Sequence, residues 1–173
     1  MPRQIHDPAA IWAAVALVLV PDPDALLLIR RAERVGDPWS GQIGLPGGRR
    51  GPGDPDLVTT AIRETAEEVG LTLEPGRLIG TLDDVTPRTP TLPPVAVRPF
   101  VFGLRHRPQL RPNCEVAAAS WVELARLSLL DSRREVEVVI RGAARAVPAF
   151  VVDDLVVWGL THRILDLFLK AAV

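Results

Sequence analysis

The chain has 173 residues, 47% of them hydrophobic, and a formal net charge of -1. That length fits one domain with a sizeable core, so a single domain over residues 1–173 is expected. The charge balance excludes a global basic field for nucleic acid and an acidic tail, and the lone cysteine, Cys114, excludes an internal disulfide and makes no demand for an oxidising compartment.

The first apolar run, AAIWAAVALVLV (9–20), has 12 residues. A membrane-spanning helix takes ~20. Arg3 ahead of the run gives it some likeness to a signal-peptide core. However, PDPD follows with no small-residue cleavage pattern, so the run reads as a buried strand. No membrane partner is expected, and the expected location is cytoplasmic. ALLLIRR (25–31) is a second apolar run, and PDPD between the two makes a hairpin-like pair. ERVGDPWSGQ (33–42) is polar and turn-rich, hence a loop, and IGLP (43–46) is a short apolar stretch that stops at Pro46. GGRRGPGDPD (47–56) is a structured Gly/Pro loop.

LVTTAIRETAEEV (57–69) is the clearest helix, with Asp54 as its expected cap, Pro55 at its first position and Gly70 just past its end. RLIGTLDDV (77–85) and VAVRPFVFGL (95–104) read as strands on either side of the proline-punctuated loop TPRTPTLPP (86–94). VAAASWVEL (116–124) leads from a strand into a short helix, and EVEVVI (135–140) and AFVV (149–152) read as further strands. WGLTHRILDLFLKA (158–171) is an amphipathic helix. Strands and helices interleave without repeats, so the class is α/β or α+β with layered packing. The basic residues are 19 arginines and one lysine, Lys170. Arginine suits bidentate contact with phosphate. A general bias towards Arg, Ala and Pro is the preferred account of the count.

On a helix at 100° per residue, Glu64, Glu67 and Glu68 share an arc about 100° wide, with Val58, Ile62, Thr65, Ala66 and Val69 opposite. Like charges at these spacings destabilise a helix by ~0.2–0.5 kcal/mol per pair. Glutamates near a helix C-terminus also oppose its dipole. Arg63 can pair with Glu67, but one cation does not balance three anions. A hard divalent cation with oxygen ligands would. The alternative is a solvated acidic face. Ahead of the helix, Pro46-Gly47-Gly48 allows a backbone path closed to residues with a Cβ. A carbonyl turned inward there would complete a metal shell, and Arg49 and Arg50 are placed to meet phosphate oxygens.

Together, residues 47–71 resemble the box of the Nudix family: glycine, five residues, glutamate, seven residues, then R-E-hydrophobic-x-E-E-x-G-hydrophobic. Gly48 starts the match and Arg63-Glu64-Thr65-Ala66-Glu67-Glu68-Val69-Gly70-Leu71 ends it. Asp54 stands where the family has its first glutamate, eight residues rather than seven separate it from Arg63, and Thr65 replaces an aliphatic residue. The resemblance implies an α/β/α sandwich around a mixed β-sheet. It implies divalent-metal hydrolysis of a nucleoside diphosphate linked to another group, with Mg²⁺ or Mn²⁺ as cofactor. By motif position, Glu64 and Glu68 look like principal metal ligands, Glu67 a ligand or a carboxylate behind them, and the Gly47 carbonyl a further ligand. Arg63 would orient them by pairing with Glu67. Some members add a carboxylate from a loop outside the box, as ligand or general base. Glu115 is the candidate here, because Trp121-Val122-Glu123-Leu124 after it resembles the usual W-x-x-L, while Asp83 and Asp84 are weaker candidates.

Residues 26–48, LLLIRRAERVGDPWSGQIGLPGG, resemble the signature of the coenzyme A diphosphatase branch at Arg30, Gly41-Gln42-Ile43 and Leu45-Pro46-Gly47-Gly48. Trp158-Gly159-Leu160-Thr161 also fits that branch. The signature's L-R-x-H before Gly41 is Gly36-Asp37-Pro38-Trp39 here. The expected substrate contacts are Arg30, Trp39, Gln42 and Arg49. Trp39 would stack on a base or pantetheine group, or else pack its loop onto the core. His106 and His162 read as surface or packing residues, and Cys114 as a small filler. The expected substrate is coenzyme A or a derivative. ADP-ribose, a dinucleotide or a nucleoside triphosphate is the alternative, and a nucleotide-binding module without hydrolysis a third. The partner is a small-molecule nucleotide diphosphate and not a nucleic acid, and a homodimer stays open.

Overall fold

The computed structural model describes residues 2–5, 7, 10–37, 39–87, 94–140 and 142–172. Strand β1 (Ile11–Val20) turns back into β2 (Ala25–Arg31), antiparallel to it. The two apolar runs are therefore the expected hairpin. Two short strands extend it. β3 (Ile43–Gly44) pairs with the end of β2, and β4 (Gly47–Arg49) pairs with the first half of β1 in the register Ala13↔Arg49, Ala14↔Gly48 and Val15↔Gly47.

On its other side β1 runs parallel to β6 (Val95–Gly103), from Ile11↔Val95 to Leu19↔Gly103. β5 (Leu78–Thr81) lies beyond β6, and β7 (Val116–Glu123) runs along β2. The result is a seven-stranded mixed sheet. A parallel neighbour and layers on both faces explain why β1 reads as an unbroken apolar run rather than an alternating one.

Helix α1 (Leu57–Val69) covers one face. Its Ala61 and Val69 pack on Ala14, Ala16, Val18, Phe100 and Phe102. The opposite face takes Leu17, Leu26 and Leu28 into a second cluster with Phe150, Ile164 and Phe168. Ile164 and Phe168 belong to α3 (Gly159–Ala171). Phe150 belongs to a three-stranded sheet of β8 (Arg133–Ile140), β9 (Ala143–Val152) and β10 (Leu155–Trp158), in the order β10-β9-β8. A short helix, α2 (Leu124–Ser128), follows β7. Large side chains such as Leu17 and Phe150 are fully buried, and each such burial stabilises by roughly 1.5–3 kcal/mol.

This is the expected sandwich around a mixed sheet, with the small sheet joining α3 in one outer layer. β10 was not expected as a separate strand, since LVVW runs straight into the helix. Most of the loop TPRTPTLPP lies outside the described residues. None of the helices described is long and apolar enough to cross a membrane.

Candidate active site

Three features of local chemistry fix α1. Asp56 caps it, accepting a hydrogen bond from the Thr59 N–H at 2.7 Å. Gly70 ends it in the left-handed region, at φ 66°, with its N–H bonded to the Ala66 carbonyl. Buried Thr65 gives its hydroxyl to the Ala61 carbonyl at 2.7 Å, so a polar residue is accommodated where an aliphatic one was expected. The expected cap, Asp54, does something else. Its buried carboxylate accepts from the Gly51 N–H, the Thr60 hydroxyl and both Nε and Nη2 of Arg63. Those Arg63 bonds, above all, hold its pKa well below the usual carboxylate range, against the upward push of burial.

Arg63 is the hub of the site. Beyond Asp54 it reaches Glu64 Oε1 at 2.9 Å, Glu67 Oε2 at 3.0 Å and the Arg49 carbonyl at 3.3 Å. The expected Arg63–Glu67 pair is present, and it is one of three carboxylate contacts.

The glutamates do not form one solvent-facing wall. Glu67 is exposed, Glu64 lies against Gly48, and Glu68 is 3% exposed on the buried face with Ala61, Thr65 and Val69. The reason lies across the interface. A Cβ on Gly48 would stand 2.5 Å from the Glu64 carboxyl carbon, and one on Gly47, at φ 151°, would stand 2.2 Å from the Ala14 carbonyl oxygen. Gly48 thus makes room for the Glu64 carboxylate, and Gly47 lets the loop backbone close on β1. The Gly47 N–H donates to Glu68 Oε2 at 2.9 Å.

Burial pushes the Glu68 carboxyl up to about 7. The Gly47 bond and Arg31 pull it down, and the charges of Glu64 and Glu115 push it further up. Burial also raises Glu64, opposed by Arg63 and reinforced by Glu67 and Glu115. Glu115 is therefore electrostatically coupled to both. Its loop is tied to the end of α1 by hydrogen bonds from the Arg111 N–H to the Val69 carbonyl and from the Asn113 N–H to the Glu68 carbonyl. The Glu115 side chain itself meets Arg34 Nη1 at 3.0 Å.

The other expected residues are spread out. Arg30 shares the strand face of Leu26 and Leu28, away from α1. It pairs with Asp154 at 2.9 Å and lines a groove of about 340 Å³ with Arg126 and Asp153. Its neighbour Arg31, which the sequence did not single out, is the one that acts on Glu68. Arg31 also holds Asp37 at 2.9 Å, and Asp37 accepts the Trp39 N–H. Gln42 donates its N–H to the Trp39 carbonyl, which closes that loop. Arg49 is exposed, whereas Arg50 is spent on the loop carbonyls of Asp54 and Pro55.

Asp84 takes Arg98 and the Ile5 N–H, and Asp83 takes Arg3, so both anchor the N-terminal segment. His162 packs on Phe150 and His106 is exposed, as expected. Cys114 is exposed rather than filling a gap, on the loop bonded to the end of α1.

Among the described residues, no three acidic, imidazole or thiolate side chains are gathered to hold a metal as they stand. The physical cause is visible: Arg63 draws Glu64 and Glu67 to itself, and Gly47 holds Glu68. The donor set still fits a hard divalent cation. It is all oxygen, Gly48 lets the Glu64 carboxylate lie against the loop backbone, and burial that the Gly47 N–H and Arg31 only partly offset is what raises Glu68.

A family model for the NUDIX domain matches residues 11–141. A mouse protein named mitochondrial coenzyme A diphosphatase NUDT8 is 34% identical over 166 residues, covering 94% of this chain and 78% of its own length. An uncharacterised protein of Schizosaccharomyces pombe is 37% identical over 132 residues, 73% of this chain, and the chain spans only 40% of that relative's length. A MutT/nudix family protein from Enterococcus faecalis superposes with a TM-score of 0.68 at 16% identity, over 97% of this chain and 64% of its own. With the family pattern running from β1 to the end of β8 and the box residues meeting around Arg63, the chain belongs to the Nudix family and carries the domain of a Nudix pyrophosphohydrolase.

Proposed function

We propose that residues 1–173 form one Nudix domain that hydrolyses the diphosphate bridge of coenzyme A or a derivative, with Mg²⁺ or Mn²⁺. The observation that carries the substrate is the 34% identity, across 94% of the chain, to a protein named as a coenzyme A diphosphatase. Residues 26–48, which resemble that branch's signature except at Gly36-Asp37-Pro38-Trp39, lie in the matched family domain.

Glu64, Glu67 and Glu68, with Gly47 and Glu115, would hold the cations. When bound, the metal screens the phosphoryl oxygens and lowers the pKa of the attacking water. Arg63, anchored on Asp54, would hold Glu64 and Glu67 beside the site and release them to the cations. Glu115, on a loop tied to the end of α1, would take the water's proton on its carboxylate. Exposed Arg49 would meet phosphate oxygens, with Arg30, Trp39 and Gln42 contacting the remainder of the substrate. A cytoplasmic location remains part of this proposal.

The test is hydrolysis of coenzyme A, acyl-coenzyme A, ADP-ribose, NADH and nucleoside triphosphates with Mg²⁺ or Mn²⁺, with products identified. Release of 3′,5′-ADP and phosphopantetheine from coenzyme A, faster than turnover of the others, is expected. Faster turnover of ADP-ribose or a triphosphate would move the specificity elsewhere within the same chemistry.

A further inference from the structure

β8 is the outer strand of the small sheet, and among the described residues no strand pairs with its free edge. The outer part of the β8–β9 ribbon is open on both faces: Glu137, Val139 and Ala143 to Ala146 are exposed, and Val138 and Ile140 half-buried. Val136, Val138 and Ile140 alternate along one face, and Val139, 72% exposed, lies on the other. The charges that discourage pairing, Arg133, Arg134, Glu135 and Glu137, stand in its first five residues, and Val138 to Ile140 carry no charge, proline or glycine. An unpaired edge whose outer part is β-branched and uncharged is a template for another strand.

We propose that the occupant is a second copy of this chain, pairing β8 with β8 antiparallel, with Val138 of each copy facing its counterpart on the two-fold axis. The charge pattern admits a second copy of the strand and restricts the register. A two-fold axis perpendicular to the sheet keeps each face on its own side, so every allowed register is centred on one residue. Centring on Arg134, Glu135 or Glu137 sets that charge against itself. Centring on Val136 sets Glu135 against Glu137. Each of these is repulsive. Centring on Val138 opposes Val138 to Val138, Val136 to Ile140 and Glu137 to Val139, so the apolar stripe continues and no like charges meet. Moving on to Val139 leaves only residues 138–140 of the strand paired. Val138 therefore gives the longest overlap free of repulsion. The pairing is independent of the substrate reading, because no box residue lies on β8.

Sedimentation of the full chain at rising concentration should show a dimer, and Val138→Lys should return it to monomer with hydrolysis per chain unchanged. Register is tested by oxidative cross-linking in a Cys114→Ser background. Directly opposed residues of antiparallel strands lie about 4.5–5.5 Å apart, within disulfide reach. Two cysteines at position 136 would lie four residues out of register, roughly 13 Å apart. Val138→Cys should therefore cross-link and Val136→Cys should not. A wild-type chain that stays monomeric, a dimer that Val138→Lys leaves intact, or cross-linking at 136 in preference to 138 would each overturn the proposal. The sedimentation result decides even if a cysteine variant fails to fold.

Discussion

Arg63 grips Asp54 along one edge, Nε to Oδ1 at 3.0 Å and Nη2 to Oδ2 at 2.9 Å, nine residues apart in the chain. The partner stands just before the helix and the arginine near its middle, so the pair fastens the glycine loop to α1. Asp54 also takes the Gly51 N–H and the Thr60 hydroxyl, so its removal takes an acceptor from four donor groups on three residues. Breaking one partner of a buried pair costs about 3–5 kcal/mol. Asp54→Ala should lose on the order of 3 kcal/mol in urea unfolding, and hydrolysis should fall with it as Arg63 is freed. Because Asp54 titrates lower folded than unfolded, its contribution is present above its ordinary 3.8 and fades as pH falls below that. The gap between wild type and variant should therefore narrow in acid. An unchanged urea midpoint would discard the anchor.

Glu68 predicts a pH dependence of the opposite sign. Its folded value, about 7, lies above its ordinary 4.5. In metal-free protein its contribution is fully present below 4.5 and is lost as pH rises through about 7. Held in chelator, wild type should lose on the order of 3 kcal/mol relative to Glu68→Gln between these limits. His162, which burial lowers, is common to both proteins and cancels in the difference. Thermal midpoints of the two proteins across that range measure it, and parallel curves would show that Glu68 is not held in a desolvated site.

Glu115 and Arg34 give a contrast between chemistry and stability. Both side chains are about half exposed, and an exposed pair contributes little to stability, ~0–1 kcal/mol. Arg34→Ala should leave the unfolding midpoint nearly unchanged. Glu115→Gln should lower kcat by about 10²-fold with little change in KM, as expected when a general base is removed. Wild-type kcat in that variant would assign the proton to another group.

The elements that bury apolar runs were legible in the sequence. β1, β2 and α1 each carry a period or an unbroken apolar stretch that only one structure satisfies. The residues that depend on contact across elements were not. Helical periodicity puts Glu68 among the polar positions, yet it is buried, and its carboxylate takes the backbone N–H of Gly47, a partner in the preceding loop that periodicity does not see. Asp54 reads as a cap because it precedes a proline, whereas Asp56 serves that purpose and Asp54 turns back to Arg63. Arg30 and Arg31 are equivalent as letters. The strand's alternation, with a register shift between them, sends one to Asp154 and the other to Asp37 beside the box.

The most direct test is an anomalous difference map from crystals soaked in Mn²⁺. The account predicts a peak among the carboxylates of Glu64, Glu67 and Glu68 beside Gly47, with Arg63 still on Asp54. A map with no peak there, and Glu64 and Glu67 still bound to Arg63 at saturating metal, would contradict it.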